Sequence, residues 1–363
     1  MKGPTLYRLA TERQYDRMVT HLQDRPQDIY WCDHYGSTAL HLLCQVHVRD
    51  IERPLLLAIQ AIVQQDPTLI GQPNQATCTP LHYAAEKRLV WGNHYYRSGE
   101  LVLMLLREYP QAVSIRTKTG TGKTPFHVAC EANADARVLK AMLLIHPGLA
   151  TEPFVKRDVY SLAENPLQIL WGHSSMNHPN NTQTHEKMAL LVRAAHYGTV
   201  DDACHDDHHS KIRLVSAACS VRCPQAYFLH LLQEYRQEIF ELDEPRQLLP
   251  LHYAVSNASV DSQPYTQFVL ESLLEVYPDA AAVPNEEGRL PLHVALMDSK
   301  LTWHKGGIQE LVYAYPSALT VPDPIHHLLP FLASAYNALE SMLHLSTTYE
   351  LLRAAPDVME RLW

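Results

Sequence analysis

Four groups of residues in this chain have the types that chemistry uses. The first is a histidine that returns five times in one setting: His41, His82, His127, His252 and His293. Imidazole serves as a general base and as a metal ligand. The second is the run Cys204-His205-Asp206-Asp207-His208-His209, with Cys219 and Cys223 downstream. Thiolate, imidazole and carboxylate together make a zinc donor set, and zinc there would support a metal-dependent hydrolase. The third is Thr119-Gly120-Thr121-Gly122-Lys123-Thr124, which ends like a phosphate-cradling loop. The fourth is a pair of acidic clusters, Asp201-Asp202 and Glu241-Leu242-Asp243-Glu244.

Spacing decides among these readings. The cradling loop needs Gly, four residues, then Gly-Lys-Ser/Thr, and Thr117 stands where the first Gly belongs. The Cys/His run has zinc-binding residue types without a compact ligand spacing, so Cys204, His205, His208 and His209 are weak metal candidates. A polar loop ahead of a helix is the plainer reading. The acidic clusters read as solvated turns. Neighbouring repeat histidines in the two regular runs are separated by 41 to 45 residues, which puts equivalent rings about 10 Å apart in stacked helices. Metal bonds of about 2 Å cannot bridge that gap. Each ring is therefore expected to bond backbone of its own turn or the next.

The elements that place these residues repeat with them. Each histidine closes a phrase: Thr38-Ala39-Leu40-His41, Thr79-Pro80-Leu81-His82, Thr124-Pro125-Phe126-His127, Leu249-Pro250-Leu251-His252 and Leu290-Pro291-Leu292-His293. Weaker copies are Asn165-Pro166-Leu167-Gln168, Arg213-Leu214-Val215-Ser216 and Leu329-Pro330-Phe331-Leu332. Thr caps a helix whose first position takes Pro at no cost, because that N–H has no partner anyway. An apolar run such as Leu101 to Leu106 then forms a second helix. A second phrase, as in Tyr109-Pro110-Gln111-Ala112 and Tyr277-Pro278-Asp279-Ala280, ends it, since Pro disfavours helix in the residue before it. One such pair cannot bury its apolar face alone; stacked pairs can.

These phrases resemble the ankyrin (ANK) repeat, whose signature is Thr-Pro-Leu-His-x-Ala. The period is longer than the usual 33 or so, and Tyr-Pro-x-Ala replaces the usual Gly-Ala-Asp turn. In that respect the chain resembles the divergent ankyrin-like proteins of diatoms and related algae. The resemblance covers roughly residues 30 to 335. It implies an all-α, ankyrin-like helical-hairpin solenoid of about seven to eight repeats. It also implies a non-enzymatic scaffold without cofactor, binding a protein partner through its concave face and inter-helix loops. Residues 1-30 are expected to form an N-terminal cap, 31-335 the repeats, and 336-363 capping helices.

The long insertions carry aromatic residues expected to be exposed: Trp91, Tyr95, Tyr96, and Trp303 beside His304. Insertions in repeat arrays gather on one face, and Tyr and Trp make good interface anchors, so these are the candidate partner-binding residues. Packing over their own helix ends is the alternative. A net charge of -9 argues against nucleic acid and anionic membrane surfaces. No run of about 18 apolar residues suggests a membrane span. The start of the sequence shows no secretory pattern, and seven irregularly spaced Cys fit a reducing, intracellular compartment, cytoplasmic or nuclear.

Overall fold

The computed structural model describes residues 5–46, 53–86, 98–118, 122–153, 165–174, 182–198, 200, 213–242, 248–258, 263–298, 301–338 and 343–357. Two compact units divide the chain, Met1–Val200 and Asp201–Trp363. Both are built from consecutive helix pairs, and the fold is all-α.

Unit one holds five pairs among the described residues. They are α1 (Thr5–Thr11) with α2 (Tyr15–Asp24), α3 (Ala39–Gln45) with α4 (Arg53–Gln65), and α5 (Pro80–Ala85) with α6 (Ser98–Glu108). Then come α7 (Pro125–Glu131) with α8 (Ala136–Ile145), and α9 (Pro166–Ser174) with α10 (Thr182–Tyr197). Unit two holds four: α11 (Leu214–Ser220) with α12 (Gln225–Glu234), α13 (Pro250–Ser256) with α14 (Gln263–Val276), α15 (Pro291–Met297) with α16 (Ile308–Ala314), and α17 (Pro330–Ala338) with α18 (Leu343–Ala354). Within each unit, successive first helices pack on one another, and second helices do so at α2 with α4, α6 with α8, α8 with α10, α12 with α14 and α14 with α16, which makes two layers. Residues 5–30 already show the helix, helix and turn order of the later pairs, and α17 runs across position 335.

The local chemistry explains the short first helices. Thr38, Thr79 and Thr124 sit at the N-cap with extended backbone, and Pro follows two of them. The next residue inward, Leu40, Leu81, Phe126, Leu251 or Leu292, is buried. Each such side chain contributes about 1.5–3 kcal/mol of burial. Ala84, Ala129, Ala254 and Ala295 are also buried, and their small size lets the second helix approach.

The second phrase does more than end a helix. The Pro opens a short 3-10 turn, seen at Pro67–Gly71, Pro110–Ser114, Pro278–Ala282 and Pro316–Thr320. The residue before it takes nearly one conformation each time: φ -144 and ψ 78 at Tyr109, -140 and 79 at Tyr277, -141 and 81 at Tyr315. That setting lies outside the α region, which Pro disfavours in its predecessor. The turn then buries its own apolar residues, such as Ala112 and Val113, or Ala318 and Leu319. The phrase that ends the second helix therefore also contributes to the core.

The weak copies keep the logic with other residues. At α9, Asn165 Oδ1 accepts from Gln168 N at 2.9 Å, and Gln168 Oε1 accepts from Asn165 N at 3.0 Å. Asn and Gln thus make the reciprocal cap that Thr and His make elsewhere. At α11, Glu238 from the following 3-10 turn accepts from Val215 N at 2.9 Å. The connection between α13 and α14 is shorter than the repeat spacing suggests, because α14 already starts at Gln263.

Candidate functional site

The five repeat histidines form one structural series. In each, ring Nδ1 accepts from the backbone N–H three residues earlier, at 3.1 Å for Thr38, Thr79 and Leu249 and 3.2 Å for Thr124 and Leu290. A backbone N–H can only donate, so Nδ1 carries no proton. The proton therefore sits on Nε2, which donates to a carbonyl of the following connection. The acceptors are Cys78 (3.2 Å), Lys123 (3.2 Å), Glu152 (2.7 Å), Val283 (3.1 Å) and Val321 (2.9 Å). All five side chains are buried.

Electrostatics follow from that geometry. Burial penalises the imidazolium, and the ring pKa falls to about 4 at His41, His82 and His252. His127 and His293 move the same way for the same cause. The rings are neutral at pH 7, and both nitrogens are committed. They act as links between one repeat and the next and have no lone pair left for a metal or a substrate.

The Gly-Lys-Thr run belongs to a turn. Gly122 has φ +61, a region Gly reaches freely. Lys123 Nζ lies 2.5 Å from Glu131 Oε1, and Thr124 caps α7. The Cys204, His205, His208 and His209 candidates lie outside the described residues. Among the described residues, no group of three or more His, Cys, Asp or Glu could hold a metal ion. Cys219 and Cys223 are buried, and burial pushes both thiols up, Cys223 to about 12. Cys223 Sγ lies 3.1 Å from Tyr265 Oη. Both are therefore protonated thiols at neutral pH.

The aromatic candidates divide. Trp91, Tyr95 and Tyr96 lie outside the described residues. Trp303 is only 5% exposed, which corrects the expectation of an exposed ring. Its backbone N–H donates to Thr347 Oγ1 of α18 at 3.0 Å, so this segment is packed against the final helix pair. The neighbouring His304 is exposed.

The structure brings forward a surface that residue types did not reveal. In unit one the connections between pairs form tight turns whose side-chain caps are internal. Asp33 Oδ1 accepts from Tyr35 N (2.9 Å) and Ser37 N (2.8 Å), and Asn74 Oδ1 accepts from Cys78 N (3.0 Å). Successive turns are also tied together. Gln75 N donates to Tyr35 O (2.8 Å), its Nε2 donates to His34 O (2.7 Å), and Lys118 N donates to Thr77 Oγ1. The result is an edge of linked turns that exposes His34, Tyr35, Gln75 and Lys118. The only sequence signal for it was the polar stretch between repeats.

Unit two holds a buried charge network in its own turns. Arg289 Nη1 donates to Asp298 Oδ2 (2.6 Å), while Nε (3.2 Å) and Nη2 (3.1 Å) both donate to Asp323 Oδ2. Nη2 also reaches the carbonyl of His293 at 3.3 Å. Asp323 is buried, yet its pKa stays below the ordinary value. Burial raises it, and the Ile325 N–H, His326 and Arg289 together outweigh that. This network is structural: it fixes two successive turns to one helix.

Comparison with known proteins adds little. No protein-family model matches the chain, and no curated protein matches it. Among solved structures, it is similar to the ankyrin repeat domain of Bcl-3, a member of the IkappaB protein family. The identity is 17%, over 88% of this chain and 99% of that one, with a TM-score of 0.26.

Proposed function

We propose that the chain is a non-enzymatic scaffold that holds a protein partner on its concave face, made by the first helices and the turns between pairs, and on the inter-helix loops within pairs. One observation carries this reading. The repeated chemical groups are spent on backbone, and what remains exposed is an edge of turns held rigid by bonds between neighbours. A surface ordered before binding loses little entropy on binding, which favours affinity. Trp91, Tyr95 and Tyr96 belong to this reading through their place in a long connection, and the solvent-facing His304 does too. The long repeat period supports an analogy with the divergent ankyrin-like proteins of diatoms and algae. An intracellular setting belongs to the same reading; no helix among the described residues is long and apolar enough to cross a membrane.

The test is capture by the full chain from a cell extract, with identification by mass spectrometry. Tyr35→Ala and Trp91→Ala/Tyr96→Ala should each weaken capture of the same specific protein by tenfold or more without lowering the melting temperature. Unchanged capture by both variants would reject this face.

A further inference from the structure

Unit two differs in charge from unit one, and so do its second helices, α18 with Arg353 apart. Residues 1–200 contain 20 Lys and Arg against 17 Asp and Glu; residues 201–363 contain 10 against 22. The imbalance reaches the second helices. In unit one, α2, α4, α6, α8 and α10 each contain at least one Lys or Arg, for example Arg17, Arg53, Arg107, Lys140 and Arg193. In unit two, α12, α14 and α16 contain none, and their acidic residues are Glu234, Glu271, Glu275 and Glu310. The nearest basic residues in sequence, Arg222, Arg236 and Lys305, stand outside these helices.

Packing puts these residues on one surface. Phe228 of α12 meets Phe268 of α14 at a ring separation of 6.0 Å, and Gln267 of α14 reaches Glu310 of α16 at 3.3 Å. Counted back from the helix-ending Tyr235, Tyr277 and Tyr315, equivalent positions are Leu229, Glu271 and Gln309, then Gln233, Glu275 and Tyr313. Leu229 is 44% exposed and Tyr313 69%. The same register in unit one reads Leu103 and Arg107 on α6, and Lys140 and Leu144 on α8. Gln267 Nε2 donates to both Glu271 (2.8 Å) and Glu310 (3.3 Å), so the two carboxylates stand close together. Burial and the Glu271 charge raise the pKa of Glu310.

We infer that the exposed face of α12, α14 and α16 docks a basic amphipathic segment of a protein partner. Lysine or arginine side chains would meet Glu271, Glu275 and Glu310, and relieve the repulsion between the paired carboxylates. Apolar side chains of the same segment would cover Leu229, and a cation over the exposed Tyr313 ring adds a further contact. This face lies in a different layer from the turn edge, so it can fail without touching the scaffold reading above, and the reverse holds too.

The probe is a synthetic amphipathic peptide of Lys and Leu at helical spacing, with a Glu and Leu peptide of the same pattern as control. Binding to the full chain is measured by fluorescence anisotropy in physiological salt. The Lys peptide should bind and the Glu peptide should not. Glu271→Lys/Glu275→Lys and Tyr313→Ala, both at exposed positions, should each weaken the Lys peptide at least fivefold with unchanged circular dichroism. Glu286→Lys/Asp357→Lys makes the same change in net charge elsewhere and should leave affinity within twofold. Equal loss in both double variants would reduce the effect to bulk charge and overturn the inference. So would absent binding, or a salt-sensitive dimer in light scattering that Glu271→Lys/Glu275→Lys abolishes, since the face would then belong to a second copy.

Discussion

A repeat histidine in this chain has no spare nitrogen. One accepts from the N–H that starts its own helix, and the other donates to the carbonyl of the next connection. Adding a proton turns the acceptor into a donor facing a donor. The consequence for stability has a definite sign. The folded rings titrate near 4 and the ordinary value is 6.5, so the unfolded chain binds more protons between those limits. Stability is complete above about pH 6.5 and falls as pH drops towards 4, by up to about 3 kcal/mol for each fully buried ring. Denaturant unfolding followed by circular dichroism from pH 7.5 to 4.5 should show the midpoint falling, most steeply below pH 6. A flat midpoint over that range would mean the rings are not held neutral. The residue types alone suggested metal and base chemistry as much as this; the spacing of the rings separated the readings, and their partners were visible only in three dimensions.

At the scale of elements, the helix pairs were legible because their signals are local. Thr and Pro at the start, Ala on the inner side and pre-proline Tyr at the end each act within one turn of helix. The copies at Asn165 and Arg213 were legible by position, while their caps were not. Gln168 replaces a histidine directly, and Glu238 reaches α11 from a separate turn. The buried Arg289 was missed for the same reason. Its carboxylate partners Asp298 and Asp323 are 9 and 34 residues away, and nothing in the local pattern marks them. That network carries its own prediction. Arg289→Met leaves a buried Asp323 charge without its main cation and should cost about 3–5 kcal/mol. Arg289→Met/Asp323→Asn removes the charge and keeps an acceptor for the Ile325 N–H, so it should recover most of the loss. A double variant as unstable as the single one, in guanidinium melts, would show that packing rather than charge dominates there. The exposure of Trp303 was misjudged because its cover comes from α18, some 44 residues later in the chain.

For the whole molecule, stability in each unit is a sum over neighbouring pairs, since a pair buries its apolar face only against the next. Leu273 on α14 is fully buried, and Leu273→Ala should cost about 2–5 kcal/mol. Hydrogen exchange with mass spectrometry should show the loss of protection within residues 201–363, the unit that holds α14, with residues 1–200 unchanged. Equal loss throughout would mean that the chain unfolds as a single body. The candidate surfaces were the least legible part. A turn edge is made by bonds between connections some 40 residues apart, and a charge face by three helices brought side by side. Neither has a signature in any single repeat.

The central claim is that the repeated histidines are neutral links between helix pairs and not a reactive site. Long-range proton–nitrogen NMR on histidine-labelled protein reads ring tautomer and titration directly. His41, His82, His127, His252 and His293 should all show the Nε2–H tautomer; His41, His82 and His252 should stay neutral down to about pH 5 or the onset of unfolding, and His127 and His293 should titrate below the ordinary value. Titration of these rings near 6.5 in the folded chain, or a nitrogen shift on adding zinc, would contradict the account.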